Sequence, residues 1–145
     1  MPIATDKSVE SVPVSIVARK KGWADLDLSL KKHPIQKDII PLKDDKAIKN
    51  AVKNLVLTNF YERPFQHAKG ANLQGLLFEP ANAITAYELK ESIRNVLKYH
   101  ESRVKVEVIN ILDDTERNAW RVIIKFLIKN MNIVTNLEVL LRRTR

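Results

Sequence analysis

His33, His67 and His100 are scattered along the 145 residues with no His-x-x-x-His pair, and there is no cysteine, so neighbouring positions offer neither a zinc site nor a thiolate nucleophile. No metal and no cofactor are expected. Asp113 and Asp114 are an acidic pair, but adjacent acids between two strands are read as solvated turn formers. Glycoside hydrolysis needs two carboxylates across a cleft, one of them in apolar surroundings that keep it protonated. Glu79, just before Pro80, and Glu101, just after a helix, are the two candidates, and neither position implies a cleft. Three unclustered glycines exclude a phosphate-binding loop. No catalytic residue is assigned. A cell-wall hydrolase is kept as a lesser alternative that would need Glu79 or Glu101.

Charge points to binding. The formal net charge is +8, and residues 117–145 hold seven basic side chains (Arg117, Arg121, Lys125, Lys129, Arg142, Arg143, Arg145) against one acid, Glu138. Such an end meets nucleic acid or an acidic protein surface, because long-range fields steer both encounters. A nucleic-acid-binding module is therefore the first alternative. Stacking platforms are missing for it, since Trp120 and Phe126 belong to an apolar strand face.

The elements that position these residues follow from periodicity. A composition of 45% hydrophobic and 29% charged residues is that of a folded protein, and the length suits one domain that buries about two thirds of its unfolded surface. No stretch approaches the roughly 20 apolar residues of a membrane span, and no secretory leader pattern opens the chain, so it is expected in a cytoplasm. Residues 1–22, with Pro2, Pro13 and Arg19-Lys20-Lys21, read as an arm, flexible or partner-bound, ahead of a single domain over 23–145. Leu26, Leu28 and Leu30 alternate with polar residues, predicting a short strand over 23–30.

Ile48, Ala51, Val52, Leu55 and Val56 recur at helical spacing and predict a helix over 44–59, capped by Asp44 or Asp45 and ended by Pro64. A short helix passes through Leu73, Leu76, Leu77 and Phe78; Phe65 and Phe78 are read as core. Thr85-Ala86-Tyr87-Glu88 has the form of a capping box at the start of a second long helix with Ala86, Leu89, Ile93, Val96 and Leu97 on its buried face. From Val104 the period is two. One strand carries Val104, Val106 and Val108 on one side, and a second carries Trp120, Val122, Ile124, Phe126 and Ile128. A third carries Ile133, Leu137, Val139 and Leu141, with turns at 113–118 and 130–132. The expected fold is α+β: two long helices and a short one packed on a C-terminal three-stranded antiparallel meander.

Such a sheet has two edges that invite another strand, and the last strand is long, apolar and free of proline. Either the strand over 23–30 covers one edge while the charged tail protects the other, or an edge is there for a partner to extend.

Several stretches in order resemble the baseplate wedge family of contractile phage tails, whose members are often labelled lysozyme-like and have relatives in type VI secretion baseplates. They are Asp25-Leu26-Asp27-Leu28-Ser29-Leu30 with His33-Pro34, Ala47-Ile48-Lys49-Asn50, Leu57-Thr58-Asn59 with Glu62-Arg63-Pro64-Phe65, Gly70 with Leu76-Leu77-Phe78-Glu79, and Tyr99-His100-Glu101-Ser102-Arg103-Val104. The family's Glu-Pro-Arg signature is represented by Glu101-Ser102-Arg103, with the charged pair kept and the proline replaced. The resemblance implies that Glu101, Arg103 and Arg63 dock the chain onto neighbouring wedge proteins. It further implies that the sheet resembles a sheath handshake domain, whose last strand would take a strand of the tail sheath protein at Ile133, Thr135, Leu137, Val139, Leu141, Arg142 and Arg143. From the residues alone, Arg63 is equally a loop arginine pairing with Glu62 or a helix carbonyl, and Glu101 with Arg103 a salt bridge closing a helix. The resemblance implies no catalysis, no nucleic acid and no membrane among its partners, several copies around a tail tube, and a place in the virion after assembly in the host cytoplasm.

Overall fold

The computed structural model describes residues 22–35 and 37–143, so the expected arm lies outside the described residues except for Gly22. Two short strands, β1 (Ala24–Leu26) and β2 (Pro41–Lys43), pair antiparallel and lead into α1 (Asp44–Leu57). A 3₁₀ turn over Gly75–Phe78 precedes α2 (Ala83–His100), and the meander β3 (Val104–Asp114), β4 (Ala119–Ile128) and β5 (Ile133–Arg142) completes the chain in the order β3-β4-β5. The mixed helix and antiparallel sheet architecture is the one expected.

The core lies between the helices and one face of the meander. Ile48, Val52, Leu55 and Val56 of α1 meet Leu89, Ile93, Val96 and Leu97 of α2 over Val122, Ile124, Phe126 and Ile128 of the central strand. Each such side chain, fully buried, contributes about 1.5–3 kcal/mol, so the two helical stripes are what hold the sheet covered.

Local details depart from expectation. Neither Asp44 nor Asp45 caps α1; the Asp44 amide donates instead to Trp23 O at 2.7 Å, and the two acids sit in the first turn, where the helix dipole favours them. The helix stops at Leu57 because the Thr58 hydroxyl donates to Asn54 O at 2.6 Å and its backbone turns extended. At α2 the cap is Asn82, whose side-chain oxygen accepts from the Thr85 amide at 2.8 Å; Thr85 is itself buried one turn inside, so the box expected at Thr85 and Glu88 does not form. A Cβ on Gly70 would lie 2.4 Å from Thr58 O, which requires glycine where the loop folds back on the helix end.

The strand expected over 23–30 is reduced to β1, and it pairs with β2 rather than with the meander, so it covers neither edge of the larger sheet. Leu26, Leu28 and Leu30 are exposed. Phe65 and Phe78, expected in the core, are 97% and 60% exposed. β3 runs on through Asp113 and Asp114, leaving Thr115–Asn118 as the turn; those acids are not solvated turn formers but pair with Arg143 and Arg121 across the sheet. Glu107 is an unpaired bulge between Val106 and Val108, which moves Val108 to the outer face and puts Ile109 in the core. Ile133 shares the inner face of β5 but is exposed, although its partner Ile128 on β4 is fully buried.

Candidate functional site

Arg63, Glu101 and Arg103, far apart in sequence, line one pocket of about 270 Å³ together with Asp25, Lys69 and His100. Glu101 follows α2, where its amide closes the helix on Leu97 O at 3.1 Å. Its side chain is buried and takes two bonds from Arg103, Nε to Oε1 and Nη2 to Oε2, both 2.6 Å. That bidentate geometry fixes the guanidinium plane and gives the strongest form of charged pair. The Arg103 pKa is raised above its already high value, first by the hydrogen bond to Glu101 and then by the charges of Glu101 and Asp25, against partial burial. The ring of Trp23 lies 5.8 Å from the same guanidinium.

Two of the five N–H donors of Arg103 face Glu101, and the others remain for the pocket. Arg63 contributes a second guanidinium; it does not bond Glu62, whose carboxylate instead accepts from the backbone and side-chain amides of Asn59 at 2.9 and 2.8 Å. The pocket thus presents donors to carboxylates or to the open carbonyls of a helix end. Sequence reasoning gives no site role to Trp23, Asp25, Lys69 or His100: Trp23 and Asp25 read only as part of a strand, His100 stands in the stretch around Glu101-Ser102-Arg103, and no local period marks Lys69.

The two edges of the meander differ in ways the hydrogen bonds resolve. Arg143 N donates to Asn118 O at 2.9 Å, and β4 and β5 pair without a register shift, so alternation turns the amides of Ile133, Thr135, Leu137, Val139 and Leu141 toward β4. Val134, Asn136, Glu138, Leu140 and Arg142 hold the outward backbone groups. Arg142 is exposed. The Arg143 side chain is 7% exposed, pairs with Asp113 and lies 4.8 Å over the Trp120 ring, so it is engaged at the sheet end. On β3, Lys129 N donates to Arg103 O at 3.0 Å, which by the same alternation turns Val106 outward; beyond the bulge Ile109 and Ile111 take that role.

An ion-pair row braces the outer face. Arg121 bonds Asp114 on β3 at 2.9 Å and lies 3.5 Å from Glu138 on β5, while Lys125 reaches Glu107 at 3.8 Å. Among the described residues no group of His, Asp and Glu could hold a metal, and no described helix is long and apolar enough to cross a membrane. Glu79 is exposed at the end of the 3₁₀ turn, apart from the Glu101 pocket lining.

A family model described as baseplate wedge protein gp25 matches residues 43–133, from the start of α1 into β5. The chain is 29% identical over 97 residues to the baseplate wedge protein gp25 of Enterobacteria phage T4, covering 65% of this chain and 73% of that one. In fold it is similar to a crystal structure titled as a tail lysozyme from Geobacter sulfurreducens, with TM-score 0.63, 15% identity, and 68% of this chain and 89% of that one covered. It is also similar to a chain in the cryo-EM structure of the anti-feeding prophage baseplate, with TM-score 0.60, 12% identity, and coverage of 86% and 88%. The helix pair, the pocket residues Arg63, Glu101 and Arg103, and the first two strands of the meander fall inside the matched span, whereas Asp25 precedes it, and the chain belongs to the gp25 family of phage baseplate wedge proteins.

Proposed function

We propose that the chain is a non-enzymatic wedge subunit that docks on neighbouring wedge proteins through the pocket of Arg63, Glu101 and Arg103, and starts the tail sheath by accepting a sheath strand on β5. The observation that carries this reading is the β5 edge: ten residues in unbroken register on one side, with open backbone groups on the other and no proline. Strand addition there would use the backbone of Val134, Asn136, Glu138 and Leu140, with Ile133, Thr135, Leu137, Val139 and Leu141 supplying the inner face beneath it. Arg142 adds charge at the exposed end. Arg143 acts through its hold on Asp113 and Trp120, which keeps the strand end in place. Several copies around a tail tube would then offer equivalent edges to a first sheath ring, much as handshake domains offer theirs to one another.

The pocket favours docking over catalysis, because Arg103 occupies both oxygens of Glu101 and its charge also acts on Asp25, the other carboxylate of the lining. The nucleic-acid reading loses support from the same kind of observation: Arg117, Arg121, Lys125 and Arg143 are drawn to acids of their own chain.

Tail assembly with variant subunits tests both halves. Asn136→Pro with Glu138→Pro removes two outward amides and should give baseplates that contain the subunit but grow no sheath. Normal sheaths would end the β5 assignment. Arg63→Ala, away from the buried pair, should reduce co-purification with wedge partners by about tenfold, as loss of one charged contact of 1.4 kcal/mol would; unchanged co-purification would remove the pocket from docking.

A further inference from the structure

The other edge of the meander carries a separate site. α2 runs beside β3 and leaves two hollows along the strand edge. One, about 430 Å³, lies between Ala83, Ala86 and Tyr87 of the helix and Ile109, Ile111 and Leu112 of the strand. The second, about 370 Å³, lies between Arg94 and Lys98 of the helix and Lys105, Val106 and Lys129 of the sheet. The helix positions 83, 86–87, 90, 94 and 98 share one face by their three-and-four spacing, so the hollows are two ends of a single trough. Its floor is the outward backbone of Val106, Ile109 and Ile111, which makes no backbone bond to any other described segment.

The trough is polarised along its length. At the Ala86 end apolar walls are joined by a single cation, Lys90, and by Asn110. At the other end Lys105 and Lys129 make no ion pair among the described residues, Lys98 lies 5.5 Å from the Tyr99 ring, and Arg94 alone is matched, by Glu91 at 2.5 Å. Three ammonium groups round an open strand edge repel cationic segments and attract carboxylates.

We infer that this trough binds an extended segment of another chain, which adds as a strand to β3 with apolar side chains in the Ala86–Tyr87 end and acidic side chains among Lys98, Lys105 and Lys129. The segment 1–21 of the chain itself is the wrong occupant, because it carries Lys7, Arg19, Lys20 and Lys21 against Asp6 and Glu10. A second copy, at net charge +8, is disfavoured on the same ground. The site is independent of the β5 edge, since it uses the opposite side of the sheet and different side chains.

The test uses the full chain and two acetylated ten-residue peptides, each with three valines at alternate positions in one half and three glutamates in the other, the glutamates lying toward the N-terminus in one peptide and the C-terminus in the other. One of the two should bind, broadening the amide signals of Val106, Ile109 and Ile111 while leaving those of Asn136 and Glu138 unmoved. Lys98→Glu with Lys105→Glu should weaken binding at least tenfold, as should raising salt from 0.05 to 0.5 M. The same peptide methylated on alternate backbone nitrogens should not bind. Failure of both peptides at millimolar concentration, equal binding by the methylated peptide, or shifts at Asn136 and Glu138 in place of β3 would each overturn the proposal. So would a chain that self-associates through these lysines, with Lys98→Glu abolishing a dimer seen by sedimentation, or a truncation of residues 1–21 that newly opens the trough to the peptides.

Discussion

The two edges of one sheet are built on different terms. β5 keeps perfect register with β4 over its whole length, and its outward residues carry only Glu138 and Arg142 as charges. β3 is interrupted by the bulge at Glu107 and lies beside a helix whose near face is cationic. A flat edge accepts any strand of suitable register, whereas a bulged edge in a trough selects by side chain as well as by backbone.

Proline scanning of β5 breaks the comparison most sharply. Leu137→Pro should cost roughly 2–3 kcal/mol in denaturant unfolding, since it removes a ladder bond to β4 and leaves a buried acceptor unmatched. Asn136→Pro, with its amide outward, should cost less than about 1 kcal/mol. Equal losses at the two neighbours would mean that the phase of alternation is wrong. Deleting Glu107 is expected to have a smaller thermodynamic effect. Val106 and Val108 would then pair in succession with Phe126 and Lys125, and every other side chain would keep its face. The straightened edge should self-associate at high concentration, read as an increase in sedimentation coefficient; a monomer at all concentrations would show that the bulge is not what guards β3.

The smallest effect concerns the brace that ties both edges to β4. The Asp114 carboxyl is held below its usual range, chiefly by the hydrogen bond from Arg121, with the Arg117 amide and both positive charges adding to it. Its folded form therefore takes up a proton at lower pH than its unfolded form. The contribution is present above the ordinary aspartate range and is lost as pH falls through the lowered value. Acid titration of unfolding should show this loss below about pH 4, and Asp114→Asn should remove it while leaving neutral-pH stability lower from the start.

Much of the fold was legible because it follows from period. Val122, Ile124, Phe126 and Ile128 alternate without exception and are all fully buried, and the helical stripes at Ile48 and Leu89 meet them as spacing requires. What escaped was set by contacts between distant segments. The bulge at Glu107 inverts Val108 with no local mark, because valine suits either face. β2 is three residues beginning at proline, too short to show a period. Phe65 and Phe78 look like core by type alone, yet neither is covered by the described residues. Of the candidate site, the pair Glu101 and Arg103 could be named in advance, while its meeting with Arg63 and Lys69 depends on how the loop after α1 folds back, and with Asp25 on the pairing of β1 with β2.

Each of the chain's two tryptophans lies beneath an arginine, Trp23 under Arg103 at the pocket and Trp120 under Arg143 at the sheet end. Indole emission responds to a nearby cation and to water, so the molecule carries a built-in optical probe in each region. Replacing one ring at a time by phenylalanine would let a single fluorometer trace follow the pocket and the sheet end separately, without any attached dye.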